Sequence, residues 1–208
     1  CALPIFAHHL GRCVDAYAAV VGGDDHQRAV PQAGRVDGGQ EGADLPAGAD
    51  GTPAAEDFVD GSLGDCAVGN IVWGTVIGYD KTKFEAEAPT TVADFFDTEK
   101  FPGKRGLKRA PKALLEMALM GDGVPADEVY KVLGTPEGVD RAFKKLDTIK
   151  KDVVWWESGA QAPQLLADGE VVMTTAYNGR IFNATVSEGK PFKMVWDGQV
   201  YEYNLFAI

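Results

Sequence analysis

An aromatic residue and an arginine mark the junction between a predicted strand and a predicted helix in the last third of the chain. The strand is Val171–Thr175, the helix is Gly179–Ser187, and Tyr177 and Arg180 lie at the junction. Small ligands bind α/β sheets just outside the ends of strands, so this turn is the best candidate for a binding site. An aromatic ring offers a wall for a cation, and a guanidinium offers two parallel donors to a carboxylate.

Other residues have types that suit a ligand contact, and each also has a purely structural explanation. They are Trp73, Gly74 and Thr75 in a predicted strand, Arg109 at the end of another, Ser158 in a loop before a helix, and Glu202 and Asn204 on one face of a strand. The structural explanations are core packing for Trp73, a solvated basic run for Arg109 and a helix cap for Ser158. For Glu202 and Asn204 the structural explanation is an exposed strand edge. The residue types alone do not decide between a ligand contact and a structural role.

The sequence contains no motif of a common catalytic or metal centre. Residues 51–208 have no histidine, and no nucleophile elbow, HExxH motif or glycine-rich phosphate loop occurs. We therefore predict no catalytic residue, no metal and no cofactor. Two competing functions stay open: a hydrolase that uses paired carboxylates, because acidic residues are plentiful, and a protein that docks only to other proteins.

Predicted strands and helices alternate along most of the chain, which indicates an α/β protein with a mixed sheet. Residues 66–79 are an uncharged apolar run, typical of a strand buried on both faces. Asn178 is positioned to cap the helix that follows it. The dipeptide Asp197-Gly198 predicts a two-residue hairpin between strands at 192–196 and 199–203.

Composition narrows the class of protein. The chain has 208 residues, 20 basic and 31 acidic, for a net charge of −11. An acidic protein lacks the basic face that phosphates need, so we predict no nucleic-acid partner. No apolar stretch reaches the eighteen or more residues of a membrane span.

The first part of the chain differs in composition from the rest. It has no lysine before Lys81, is rich in alanine and glycine, and contains Cys1, Cys13 and all three histidines. We predict that residues 1–44 are an atypical segment, either disordered or not native coding sequence. The sequence does not start with methionine and shows no signal peptide, which indicates a fragment.

Three segments, in this order, carry a resemblance to a known family. They are Ile71–Tyr79 (IVWGTVIGY), Thr90–Leu107 (TTVADFFDTEKFPGKRGL) and Leu165–Ala184 (LLADGEVVMTTAYNGRIFNA). The chain resembles extracytoplasmic solute-binding proteins of ATP-binding-cassette (ABC) importers, in particular the spermidine/putrescine-binding proteins. The resemblance covers roughly residues 45–208.

The resemblance implies a type II periplasmic binding protein fold, in which two α/β lobes are joined by hinge strands and the ligand lies in the cleft between them. It also implies that Trp73, Gly74 and Thr75 lie where this cleft begins. On that pattern residues 45–80 are the end of the first lobe and a hinge strand, 81–198 are the second lobe, and 199–208 are the return hinge strand. Most of the first lobe is then missing. The resemblance further implies a monomer in the periplasm that delivers its ligand to the membrane permease subunits of an importer. It also implies that Cys66 can pair with a cysteine of the missing segment, while pairing with Cys13 stays open.

The family resemblance predicts a polyamine ligand, held by aromatic walls and spaced carboxylates. Two positions depart from that pattern, because Arg109 and Arg180 stand where the family has acidic or small polar contacts. A guanidinium would repel a polyamine and would suit a carboxylate. The alternative prediction is therefore a carboxylate-bearing amino acid derivative in the same fold.

Overall fold

The computed structural model describes residues 58–59, 61–64, 67–84 and 86–207. The predicted atypical segment 1–44 and the pairing of Cys66 lie outside these residues. The chain divides into two compact units. The larger unit is Trp73–Glu202, and the described residues up to Val72 and from Tyr203 onward belong to the smaller one.

A mixed sheet runs through the described residues. Its six strands are β1 (Leu63–Gly64), β2 (Ala67–Asp80), β3 (Arg105–Lys108), β4 (Val153–Trp156), β5 (Met173–Tyr177) and β6 (Phe192–Ala207). The order is β1-β2-β5-β3-β4, and β6 also pairs with β2. Strand β3 is parallel to both β4 and β5, whereas β2 runs antiparallel to β5. Helical crossovers join the parallel strands, because the chain must return to the same end of the sheet before it enters the next parallel strand.

Six α-helices belong to the described part of the chain. They are α1 (Val92–Phe96), α2 (Leu114–Gly121), α3 (Val129–Leu133), α4 (Pro136–Asp147), α5 (Gln161–Ala167) and α6 (Asn178–Val186). Short 3-10 turns cover Lys81–Lys83, Ala126–Glu128 and Lys150–Asp152. None of the helices in these described stretches has the length and apolar character that a membrane crossing requires.

Local sequence explains where the helices begin. The Thr91 hydroxyl accepts the N–H of Asp94 while the Asp94 carboxylate accepts the N–H of Thr91, which forms a capping box for α1. Helix α4 begins with Thr135 as N-cap and a proline in its first turn. Helix α2 begins at Leu114, directly after a tight turn in which Ala113 has a φ of 64°.

Two apolar clusters form the core of the larger unit. One packs the β2–β5–β3 sheet against α1, α2 and α4 through residues such as Phe95, Leu107 and Leu119. The other centres on Trp156, Leu166 and Ile181 between the sheet, α5 and α6. All residues of both clusters fall between positions 77 and 200.

Arg105 is a fully buried cation that organises the segment before β3. Its guanidinium donates to four backbone carbonyls, those of Phe95, Asp97, Phe101 and Gly103, at 2.6–3.1 Å. Burial lowers the pKa of Arg105 to about 10, partly offset by the charges of two aspartates, so the side chain stays protonated at neutral pH. The segment thus follows a fixed path without regular secondary structure.

Three local predictions were wrong. Residues 192–207 form one strand and no hairpin. The Asp197 carboxylate instead accepts the N–H of Val92 at 2.7 Å, and Gly198, with φ 70°, packs so tightly on Val92 that a Cβ would lie 2.5 Å from it. The side chain of Asn178 does not cap α6. Strand β2 is buried only in its second half, since residues 70–73 are exposed.

Candidate ligand-binding site

Tyr177 is the centre of the site because it ends β5 immediately before α6. It pairs with Thr75 in the antiparallel register of β2 and β5. Its ring lies 5.5 Å from the ring centroid of Trp73, which is 37% exposed, and 6.1 Å from that of the buried Trp156. The structure therefore brings Trp73, Thr75 and Tyr177 together into one aromatic corner.

Asn178 links the two segments that carry the aromatic corner, β2 and the start of α6. Its side-chain oxygen accepts the backbone N–H of Gly74 at 3.2 Å. A Cβ at Gly74 would lie 3.4 Å from the Asn178 amide carbon, which is an ordinary van der Waals contact. The amide that the sequence predicted as a helix cap instead joins the start of α6 to β2.

Gly159 supports the ring of Tyr177 from the loop after β4. A Cβ at this position would lie 2.8 Å from Cδ2 and 2.9 Å from Cε2 of Tyr177, which is closer than real contacts allow. The loop is held by Gln161, whose side-chain oxygen accepts the N–H groups of Glu157 and Ser158 at 2.9 and 2.7 Å. The backbone of this loop therefore contributes to the position of the aromatic ring.

Lys108 is a site residue that the sequence did not single out. It is the last residue of β3 and lies level with Trp156 in the parallel register of β3 and β4. Its Nζ donates to the Tyr177 hydroxyl at 2.6 Å and lies 5.2 Å from the Tyr177 ring centroid. Its backbone N–H donates to the Thr175 hydroxyl at 3.3 Å. The end of a central parallel strand was the available signal for this residue.

A shallow depression with a cavity volume of about 20 Å³, partly open to solvent, lies beside these residues. Its charged lining residues are Lys108, Lys112 and Glu202. Lys112 forms an ion pair with Glu202. No described carboxylate lies within ion-pair distance of Lys108, so the lining carries one uncompensated positive charge.

The backbone at the start of α2 also lines the depression. Ala113 is the one non-glycine residue with positive φ in the described part of the chain. Burial raises the pKa of the nearby Glu116, although the N–H groups of Glu116 and Ala113 and the charge of Lys112 oppose this. One carboxylate oxygen of Glu116 is buried without a hydrogen-bond partner in the described structure.

The remaining predicted site residues lie outside the depression. Arg109 is 73% exposed and forms an ion pair with Glu157 at 3.3 Å. Arg180 and Ser158 are exposed, with Arg180 Nε 4.0 Å from the position of a Cβ on Gly159. Asn204 is exposed and belongs to the smaller unit. Within the residues that the structure covers, no group of three His, Cys, Asp or Glu side chains is placed to hold a metal ion.

A mixed α/β sheet whose strand ends meet in an aromatic corner beside a charged depression is the architecture of a small-molecule binding protein. Sequence comparison gives the family. The chain belongs to the bacterial extracellular solute-binding proteins, whose sequence model matches residues 20–208. This is a family of binding proteins and not of enzymes.

Individual relatives are similar to this chain over about three quarters of its length. A γ-aminobutyric acid-binding protein of Pseudomonas aeruginosa is 51% identical over 158 residues, which are 76% of this chain and 44% of that protein. The crystal structure of an ABC transporter substrate-binding protein from Bradyrhizobium japonicum is 40% identical, with a TM-score of 0.66, over 74% of this chain and 46% of that one. A structure described as a γ-aminobutyric acid receptor is 38% identical, with a TM-score of 0.61, over 70% and 44% of the two chains.

The predicted family and fold class are thus confirmed, and the chain spans less than half the length of these relatives. The predicted polyamine ligand is not confirmed. A spermidine/putrescine-binding protein from Streptococcus pneumoniae has the same fold, with a TM-score of 0.53, but is only 13% identical. Two more similar relatives are instead named for γ-aminobutyric acid.

Proposed function

We propose that this chain belongs to the substrate-binding component of an ABC importer and that its ligand is a small amino acid or derivative with a free carboxylate. γ-Aminobutyric acid is the first candidate. The observation that carries the proposal is the uncompensated cation, Lys108, in a depression with an aromatic wall. A 51% identical relative named for binding γ-aminobutyric acid supports the same ligand class.

The charges of the depression disfavour a polyamine. The lining has two ammonium groups and one carboxylate, and that carboxylate, Glu202, is already paired with Lys112. A ligand with two or more ammonium groups would bring further positive charge next to Lys108, and like charges in contact oppose binding. A carboxylate would neutralise it.

In the proposed transport cycle, the protein captures its ligand in the periplasm and hands it to the permease subunits of the importer. Ligand contacts shift an open–closed equilibrium toward a closed state, by no more than the difference in affinity for the two states. The permease then recognises the closed state. No bond of the ligand is made or broken at any step.

Isothermal titration calorimetry of the intact protein tests the ligand class. We expect γ-aminobutyric acid to bind at least about 100-fold more tightly than putrescine, a difference of about 2.7 kcal/mol. NMR of the recovered ligand should show it chemically unchanged. Tighter binding of putrescine or spermidine would overturn the proposed ligand class, and steady conversion of the ligand would overturn the transport function.

A further inference from the structure

We infer that Lys108 and Tyr177 together form the subsite for the ligand's carboxylate. This assignment rests on the proposed function and adds which residues recognise the anionic end. Neither of the two arginines that the sequence predicted as site residues is placed for this role. Arg109 faces solvent with Glu157, and Arg180 lies on the exposed face of α6.

The hydrogen bond between the two side chains fixes their donor directions. A lysine ammonium has three N–H donors and no acceptor, so Lys108 must be the donor in its 2.6 Å bond to the Tyr177 hydroxyl. The phenolic hydrogen then points away from Lys108. The pair therefore offers two remaining ammonium donors and one phenolic donor to an acceptor placed beside both.

A carboxylate matches this donor set. It has two oxygens and about four acceptor positions, and hydrogen bonds between ionised partners are roughly twice as strong as neutral ones. An uncharged amide or ester has a single carbonyl oxygen and no charge to neutralise Lys108. The subsite therefore selects ligands by the ionised acid.

The subsite is held in place before the ligand arrives. The backbone of Lys108 is fixed in β3 by its register with Trp156 and by the bond from its N–H to Thr175. Tyr177 is in contact with the rings of Trp73 and Trp156 and with Gly159. Side chains that are already ordered lose little conformational entropy on binding, which favours affinity.

The other cation of the depression is not equivalent. Lys112 is neutralised by Glu202, whereas Lys108 has no carboxylate partner among the described residues. A ligand carboxylate at Lys108 therefore gains from the charge and the hydrogen bonds together. This difference in pairing assigns the ligand carboxylate to Lys108 rather than to Lys112.

The test compares γ-aminobutyric acid with its neutral amide in the intact protein, by calorimetry. We expect Lys108→Met to weaken binding of the acid by about 10- to 150-fold, the range for a hydrogen bond to a charged group, and to leave binding of the amide nearly unchanged. Tyr177→Phe should weaken binding of the acid about 10-fold, because one neutral donor is lost. Lys104→Met, at an exposed lysine on the segment before β3, is the matched control and should bind both ligands like the wild type.

Each contrary result has a separate meaning. Unchanged acid binding in Lys108→Met, or equal losses for acid and amide, overturns the subsite while the proposed ligand class stands. Loss of acid binding in Arg180→Gln alone would assign the carboxylate to that arginine instead. A wild-type protein that binds putrescine and no acid overturns the proposed function and the subsite with it. Thermal unfolding followed by circular dichroism checks that each variant is folded.

Discussion

Tyr177 occupies its position because of contacts from four different segments. The register with Thr75, the Trp73 and Trp156 rings, the Lys108 ammonium and the bare backbone of Gly159 all meet the same side chain. None of these contacts is local in sequence. The ring is therefore sensitive to small changes at residues that never touch a ligand.

Gly159→Ala should displace the Tyr177 ring, because the new methyl group would lie 2.8 Å from it. We expect the affinity for γ-aminobutyric acid to fall about 10-fold, since a misplaced contact group loses its hydrogen bond. Gly179→Ala is the matched control. Its Cβ meets nothing within 4 Å, and alanine stabilises a helix by up to about 1 kcal/mol relative to glycine. Calorimetry measures the change in affinity, and urea unfolding measures the change in stability. Equal affinities for the Gly159→Ala and Gly179→Ala variants would contradict the expected displacement of the Tyr177 ring.

Glu116→Gln should stabilise the protein at neutral pH. Burial raises the pKa of Glu116 above its ordinary value of 4.5, so the folded state binds this proton more tightly than the unfolded state. Wild-type stability is therefore lost as the pH rises from about 4.5 through the folded-state pKa. Urea unfolding should show coincident curves for wild type and variant below pH 4.5, and a more stable variant at neutral pH.

The exposed Glu99→Gln is the control for this pH dependence and should follow the wild type throughout. A Glu116→Gln variant less stable than the wild type at neutral pH would show that the ionised carboxylate is needed by the backbone at the start of α2. A Glu116→Gln variant that is more stable than the wild type at neutral pH therefore means that the buried charge is unfavourable, and a less stable variant means that the charge is needed.

At the level of elements, the start of α1 depends on a residue more than a hundred positions away. The Asp197 carboxylate on β6 accepts the N–H of Val92, the first residue of α1, and Gly198 lets the strand approach it. A carboxylate at this end of a helix also interacts favourably with the helix dipole. The contact joins α1, with its buried Phe95 and Phe96, to the strand on which Val195 is buried.

Asp197→Ala should lower the free energy of unfolding by about 1 kcal/mol, the usual loss when a helix cap is removed. Asp197→Asn keeps an acceptor oxygen in the same place and should lose clearly less. Urea unfolding followed by far-ultraviolet circular dichroism measures both. An alanine variant as stable as the wild type would mean that water replaces the carboxylate without loss.

The same contact shows why part of the fold could be predicted from sequence and part could not. Alternating apolar runs and helix caps such as Thr91 and Thr135 act locally, so the order of strands and helices was readable. The Asp197-Gly198 dipeptide has the composition of a hairpin turn, but its role is a contact with Val92 that sequence proximity does not reveal. Asn178 was misread for the same reason, because its partner Gly74 is distant in sequence.

Some residues of the candidate site could also be predicted from the sequence, and others could not. Tyr177 was found because strand ends are where α/β sheets bind ligands, and Trp73 and Thr75 because of the family resemblance. Lys108 was overlooked since it sits in a basic run, Lys104–Lys112, that is typical of a solvated surface. Two cations of that run, Lys108 and Lys112, line the depression, and only the ion pair of Lys112 with Glu202, which is distant in sequence, distinguishes them.

At the scale of the whole molecule, the larger unit contains everything that a folded domain needs. Both apolar clusters lie between positions 77 and 200, and so do the buried Arg105 and its four carbonyls. The chain passes between the two units at only two places, after Val72 and after Glu202.

A chain of residues 73–202 should therefore fold by itself. We expect a single cooperative urea transition, with coincident curves from tryptophan fluorescence and circular dichroism. A shorter chain, residues 73–190, loses the buried Phe192 and Val195 and is expected to unfold without cooperativity. A gradual, probe-dependent transition in the 73–202 chain would show that its core needs contacts from outside the unit.

Arg105 also bears on how sequences of this kind can diverge. Its guanidinium holds main-chain oxygens alone, at Phe95, Asp97, Phe101 and Gly103, and such oxygens are present whatever the side chains are. The solvent-facing positions of that segment are thus free to drift during evolution while the backbone path is inherited unchanged. Arg105 therefore permits many different side chains on the surface of this segment. Replacement of Arg105 would make the backbone path depend on those side chains, and each of them would then tolerate fewer substitutions.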